Sequence, residues 1–271
     1  HAGAAKTDGT FWTWGSLYNG RLGYGPSANT STNSPQQIPG TSWANGDDKF
    51  SLGDFGGSCI RTDGTLWTWG TNENGSLGIN NETAYSSPKQ VPGTSWSTVS
   101  ASYTHVAAIR TDGTLWVWGR NHYGNLGQNQ GYTAPYEDGR AGRSSPTQVG
   151  SDTNWKTPCQ GRLWMAATKT DGTLWAWGRN NWGNLGQNST IMYSSPVQIP
   201  GTDWTGNLSA GSNYLLASKT DGTLWGWGAG NQLAQGEGNN TNRSSPIQIS
   251  GFYGSEPNFT TGGSISVAIG A

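Results

Sequence analysis

Short apolar stretches alternate with Gly-rich turns along the whole chain, and the alternation returns at a nearly fixed distance. With the Asp of Thr-Asp-Gly as register mark, the copies fall at Asp8, Asp63, Asp112, Asp171 and Asp221, in steps of 55, 49, 59 and 50 residues. Ten residues before the mark stands a Gly (Gly53, Gly161, Gly211), or Ser102 in the third copy. An apolar run such as HVAAIR (His105–Arg110) follows and predicts a strand. Thr-Asp-Gly-Thr then predicts a reversal, because Asp tolerates and Gly favours the positive φ of a hairpin turn. LWTWG and its near copies predict a second strand closed by Gly. Beyond it NxxGxLGxN reads as a loop, and SSPxQIPGTxW as a Pro-marked strand of edge type. Each unit thus predicts three or four short antiparallel strands and no helix.

A repeat of about 50 residues made only of strands and Gly-rich turns predicts an all-β β-propeller, each unit a twisted sheet packed face to face with its neighbours. Helical solenoids do not fit, and a parallel β-helix has a much shorter period. The final segment GGSISVAIGA (Gly262 to Ala271) aligns with AGSNYLLASK (Ala210 to Lys219), and the first, HAGAAKTDG, aligns with HVAAIRTDG at His105. Residues 252–271 therefore read as a partial unit, and residues 1–271 as a single propeller domain. The arithmetic suits a closed five-bladed ring or part of a six- or seven-bladed one.

Composition narrows the function. The chain has 43 Gly, 16 Trp and only 11% charged residues, too aromatic for disorder. Its formal charge of -1 provides no overall field to hold a nucleic acid or an acidic membrane surface. No apolar run approaches the roughly 18 residues of a membrane span, so neither nucleic acid nor membrane insertion is expected. Cys59 and Cys159 occupy different repeat positions and are expected to be two thiols.

HVAAIRTDGTLWVWGRNHYGNLGQN resembles the RCC1 (regulator of chromosome condensation) repeat, a Gly-x-x-His-entered strand, an Asp-Gly turn, an aromatic-x-Trp-Gly strand and Asn-x-x-Gly-x-Leu-Gly. Five copies cover essentially the whole chain, and these elements at constant offsets are far more specific than a lone Gly motif. The resemblance implies a β-propeller and a binding role, but no single activity, since RCC1-like propellers act as nucleotide-exchange factors, chromatin binders and interaction platforms. Compared with the nuclear exchange-factor type, this chain has fewer copies, lacks a basic tail and is richer in Trp and Asn. The wording TDGTLWxWG is similar to RCC1-like proteins of bacteria and their viruses, and with the Lys-poor composition it leads to the expectation of an extracellular, cell-surface or virion protein, part of a larger assembly.

The candidate residues divide into framework and rim. The pairs Trp12/Trp14, Trp67/Trp69, Trp116/Trp118, Trp175/Trp177 and Trp225/Trp227 each place two indoles on one strand face. Burying one such indole stabilises by on the order of 4–6 kcal/mol at most, so wedging between blades is the expected role. Trp43, Trp96, Trp155 and Trp204 are expected to pack likewise; sugar stacking is the functional alternative. The five Asp are expected to serve turns, and to neutralise the cations two residues earlier (Lys6, Arg61, Arg110, Lys169, Lys219). His1, His105 and His122 are scattered, no zinc spacing occurs, and no phosphate-binding loop, dinucleotide fingerprint or nucleophile elbow is present. A non-enzymatic module without catalytic residues, metal or cofactor is the expectation.

Binding is expected where the repeat varies. The two residues before the loop Gly read Tyr18-Asn19, Glu73-Asn74, His122-Tyr123 and Asn181-Trp182, and the fifth copy is shortened. The insertion GYTAPYEDGRAGR, Gly131 to Arg143, adds Tyr132, Tyr136 and Arg140, residue types that interfaces favour. Tyr18, Glu73, His122, Tyr123, Trp182, Tyr132, Tyr136 and Arg140 are therefore the candidate binding residues, for a protein or glycan ligand. A lectin with sugar sites between blades and guanine-nucleotide exchange are the alternatives.

Overall fold

The computed structural model describes residues 1–25, 31–54, 56–130, 142–230, 240–253, 258–262 and 265–269, with side chains up to residue 250. Its described strands form five antiparallel sheets and a hairpin. The first sheet has three strands, β1 (Ala2–Ala5), β2 (Phe11–Gly15) and β3 (Thr32–Gln37). Four four-stranded meanders follow. They comprise β4 (Phe50–Gly53), β5 (Gly56–Ile60), β6 (Leu66–Gly70) and β7 (Tyr85–Gln90); then β8 (Trp96–Ala101), β9 (His105–Arg110), β10 (Leu115–Gly119) and β11 (Arg143–Gln148). Next come β12 (Trp155–Gln160), β13 (Trp164–Lys169), β14 (Leu174–Gly178) and β15 (Tyr193–Ile199), then β16 (Trp204–Ala210), β17 (Tyr214–Lys219), β18 (Thr223–Gly228) and β19 (Arg243–Tyr253). The hairpin pairs β20 (Asn258–Gly262) with β21 (Ile265–Ile269).

The chain divides into two compact units, His1–Asn121 with Tyr136–Thr153, and His122–Pro135 with Asn154–Ala271. The first holds the first three sheets; the second holds the other two, the hairpin and the loop that follows β10.

Each four-stranded sheet begins one strand earlier than the sequence pattern suggests. The residues from Trp96 to Ala101 pair with β9, placing Trp96 opposite Arg110. The Trp that closes one Pro-marked segment therefore opens the next sheet. Its indole packs edge-on against both indoles of that sheet's Trp-x-Trp strand, with Trp96 centroids 6.3 Å from Trp116 and 6.0 Å from Trp118. Trp43, Trp155 and Trp204 repeat the arrangement.

The Thr-Asp-Gly turn is the same in all five copies. Asp63 Oδ1 accepts from the Thr65 N–H at 2.9 Å and from its hydroxyl at 2.6 Å, while the Trp67 Nε1–H donates to Thr65 Oγ1 at 2.9 Å. The carboxylate is thus the first link of a relay that orients the outer indole. The cation two residues earlier makes no ion pair with this Asp and rests on two rings instead: Arg61 Cζ sits 4.6 Å from the Trp43 ring and 4.3 Å from Trp67. Arg110, Lys169 and Lys219 lie similarly between two indoles. The indole faces attract the cation, and Thr takes the carboxylate.

The two Thr65 bonds, and behind them the charge of Arg61, hold the Asp63 carboxyl below its ordinary 3.8, and the other four turns act alike. A lowered folded value means that this stability is complete above 3.8 and is lost as pH falls through the folded value. The melting temperature of the Asp63→Asn/Asp112→Asn variant is therefore expected to fall less than that of the wild type between about pH 5 and pH 2. Thermal scans by circular dichroism across that range check this; superimposable acid profiles would refute it.

The inner indoles join one repeat to the next. Trp69, Trp118, Trp177 and Trp227 are fully buried. Their Nε1–H groups donate to the carbonyls of Arg21, Ser76, Asn125 and Asn184, in the Gly-x-Leu-Gly loop of the preceding copy. The loop's last Asn adds a second clamp: the Asn80 N–H donates to Ser144 O at 2.7 Å, and the Ser145 hydroxyl donates to Asn80 Oδ1 at 3.1 Å. Apolar packing follows the same seams, with Ile60, Leu66, Leu77 and Val91 of one sheet against Trp96, Val106 and Trp118 of the next. The expected wedge role thus holds for these indoles. Cys59 and Cys159 are free, and burial pushes both thiols up to about 12, which removes them as nucleophiles at neutral pH.

Candidate functional site

The rim loops combine a constant frame with variable tips. In the second copy, Asn72 Oδ1 accepts from the Leu77 N–H at 2.8 Å and its Nδ2 donates to Asn81 O and Thr83 O. Asn180 makes the equivalent three bonds to Leu185, Ser189 and Ile191. In the first copy Leu17 takes the place of Asn72, and the bonds that recur are those of the backbone, Gly20 N–H to Leu17 O at 3.0 Å and Gly75 N–H to Asn72 O at 3.1 Å. The tips at Tyr18–Gly20 and Glu73–Gly75 are single 3-10 turns in which Asn19 and Asn74 take φ of 55° and 61°. Asn suits that left-handed region better than a bulky residue does. The residues ahead of them, Tyr18 and Glu73, project outward.

In the first unit these tips border a cavity of about 400 Å³, lined by Tyr18, Asn19, Arg21, Asp54, Thr71, Glu73, Ser76, Tyr103 and Thr104. Tyr18 is 67% exposed and Tyr103 41%. Arg21 leans on Tyr18, its Nε–H donating to the Tyr18 carbonyl at 3.1 Å and its Cζ 5.5 Å from the ring centroid. Two carboxylates and one guanidinium thus share the lining with two phenols.

The sequence-derived candidates separate accordingly. Tyr18 and Glu73 are brought together. His122 and Tyr123 lie in the second unit, their rings 4.9 Å apart, with Arg179 Cζ 5.3 Å from the Tyr123 ring. Trp182 is half-buried in the same unit. Tyr132, Tyr136 and Arg140 lie outside the described residues. Arg21, Asp54, Tyr103 and Thr104 were not among the candidates. For Asp54 and Tyr103 a signal existed, because the residue after the strand-entering Gly or Ser also varies between copies: Asp54, Tyr103, Arg162, Ser212.

The inner indoles do not suit a sugar. They are fully buried and their N–H groups are already donated, so the between-blade lectin geometry is absent among these four. Among the described residues no group of three or more His, Cys, Asp or Glu could hold a metal ion, and no helix is long and apolar enough to cross a membrane.

Repeated four-stranded meanders packed through buried Trp side chains define an all-β propeller-type fold. A family profile described as "Regulator of chromosome condensation (RCC1) repeat" matches residues 63–109 and 171–217, and a second of the same description matches residues 96–125. Those stretches of the chain are therefore similar to the RCC1 repeat. It is 31% identical over 199 residues to the RCC1 domain-containing protein RUG3, mitochondrial, of Arabidopsis thaliana, covering 71% of this chain and 43% of that protein. It thus spans less than half the length of this curated relative. Among solved structures it is similar to human WBSCR16, with TM-score 0.80, 17% identity, and 98% of this chain on 68% of that one. It is also similar to Prp20p of Saccharomyces cerevisiae, with TM-score 0.79, 20% identity, and 98% on 65%. At those identities the structures establish the fold. The expectation of an extracellular, cell-surface or virion location is overturned, since the relative in sequence is a mitochondrial plant protein. Low charge and abundant Asn and Trp reflect the packing of this repeat and do not report a compartment.

Proposed function

We propose that this chain is a protein-binding module that reads its partner with the rim loops of the first unit, at the cavity bordered by Tyr18, Glu73 and Tyr103. The observation that carries this is the division of labour within the loop: one hydrogen-bonded frame, repeated, presents different tips. Exposed aromatics on a preorganised backbone are what interfaces use, because little order remains to be imposed on binding. The structure of the similar Prp20p is described together with its binding to Gsp1p and histones, and another with yeast Prp20 bound to Kap60, which supports a protein as the partner class here. Guanine-nucleotide exchange has only the shared fold behind it, and a glycan between blades would meet inner indoles that are fully buried with their N–H groups donated.

The Tyr18→Ala/Tyr103→Ala variant is expected to lose the partners that proximity labelling assigns to the wild-type chain, while its melting temperature stays within about 2 °C, as for exposed substitutions. An unchanged partner set from the folded variant would overturn the reading.

A further inference from the structure

We infer that the cavity of the first unit receives a positively charged side chain, lysine or arginine, from the partner protein. The inference rests on the protein-binding reading above and adds the chemistry that is recognised. Asp54 and Glu73 place two carboxylates on the lining, both exposed, and among the described residues no ion pair joins either to a cation. Arg21 is the lining's one guanidinium, and its Nε–H and charge are directed onto Tyr18 of the same wall. The balance of charge therefore favours a cation and opposes an anion.

The remaining lining suits the same guest. Tyr18 and Tyr103 offer aromatic rings at the border, and a cation is attracted to such faces. This chain already stabilises cations between aromatic rings, as Arg110 lies between Trp96 and Trp116. Thr104, only 9% exposed, adds a hydroxyl that has no hydrogen-bond partner among the described residues. About 400 Å³ falls within the usual size of ligand pockets and holds one long side chain with its flanking backbone outside.

The test titrates the full chain with acetyl-Gly-Arg-Gly-amide and with its citrulline and glutamate counterparts, followed by NMR. The arginine peptide is expected to bind with a Kd on the order of 1 mM, and the other two to bind far more weakly. Asp54→Asn/Glu73→Gln is expected to weaken that binding about tenfold, while Glu82→Gln, at an exposed carboxylate away from the cavity, leaves it unchanged. Circular dichroism establishes that both variants fold. Equal binding of the citrulline peptide, stronger binding of the glutamate peptide, or no effect of the double substitution overturns the inference. If no peptide binds while Tyr18→Ala/Tyr103→Ala still loses its partners, the cation falls and the rim reading survives; if the partners also persist, both fall.

Discussion

Replacing Trp118 with alanine is expected to cost the fold about 3–5 kcal/mol, the range for truncating a large buried aromatic. Three contributions disappear together. The indole is fully buried at the seam between the second and third sheets. Its Nε1–H donates to Ser76 O at 3.0 Å, and without it a carbonyl in a buried loop loses its partner. Its ring also supports Trp96 edge-on. Trp116, two residues earlier on the same face, is half-buried and bonds only within its own turn, to Thr114 Oγ1. Trp116→Ala is therefore expected to cost about 1–2 kcal/mol, less area and no inter-repeat bond being lost. Guanidinium unfolding of both variants measures the difference; equal midpoints would mean that the seam is not where the stability resides.

Gly78→Ala is expected to destabilise by about 3–5 kcal/mol although it adds a single methyl group. Gly78 has φ of +68°, and a Cβ there would lie 2.6 Å from Trp118 Nε1, which belongs to a ring held by the next sheet. Backbone strain and overpacking add, because the ring cannot retreat without breaking its bond to Ser76. Gly150→Ala separates the two effects. Its φ is +60° with nothing within 4 Å of the added atom, so only the strain remains, about 1–2 kcal/mol. Unfolding midpoints of the two variants decide the matter, and a Gly78→Ala as mild as Gly150→Ala would contradict the close packing of loop against indole.

Part of the site was legible because it follows from comparing copies. Tyr18 and Glu73 stand at one position of the repeat where neighbouring positions hold constant, and constancy around a variable point marks a framework with a tip. The same comparison at the residue after the strand-entering Gly or Ser would have singled out Asp54 and Tyr103. It could not have placed them beside Tyr18 and Glu73, because their meeting depends on how successive sheets turn relative to each other. Tyr123 shows the converse: its variable position suggests a free tip, yet Arg179 of the following sheet lies over the ring. The location inferred from composition failed for a related reason, since abundant Trp and Asn serve the seams and turns.

The sequence by itself determined the repeat, its strands and its turns. Strand alternation, Asp-Gly chemistry and the apolar run each act over a few residues, so local physics expresses them directly. Only the tertiary structure decided that residues such as Trp96 open a new sheet instead of closing the old one. WSTVSA is too polar to announce a strand, and it becomes one by pairing with β9 and stacking its indole on β10. Only the tertiary structure moved the cations from their Asp neighbours to the indole faces, and only it gathered Tyr18, Asp54, Glu73 and Tyr103 around one cavity. Those contacts join residues about one repeat apart or span strands of a sheet, and their energy exists only once the sheets are packed.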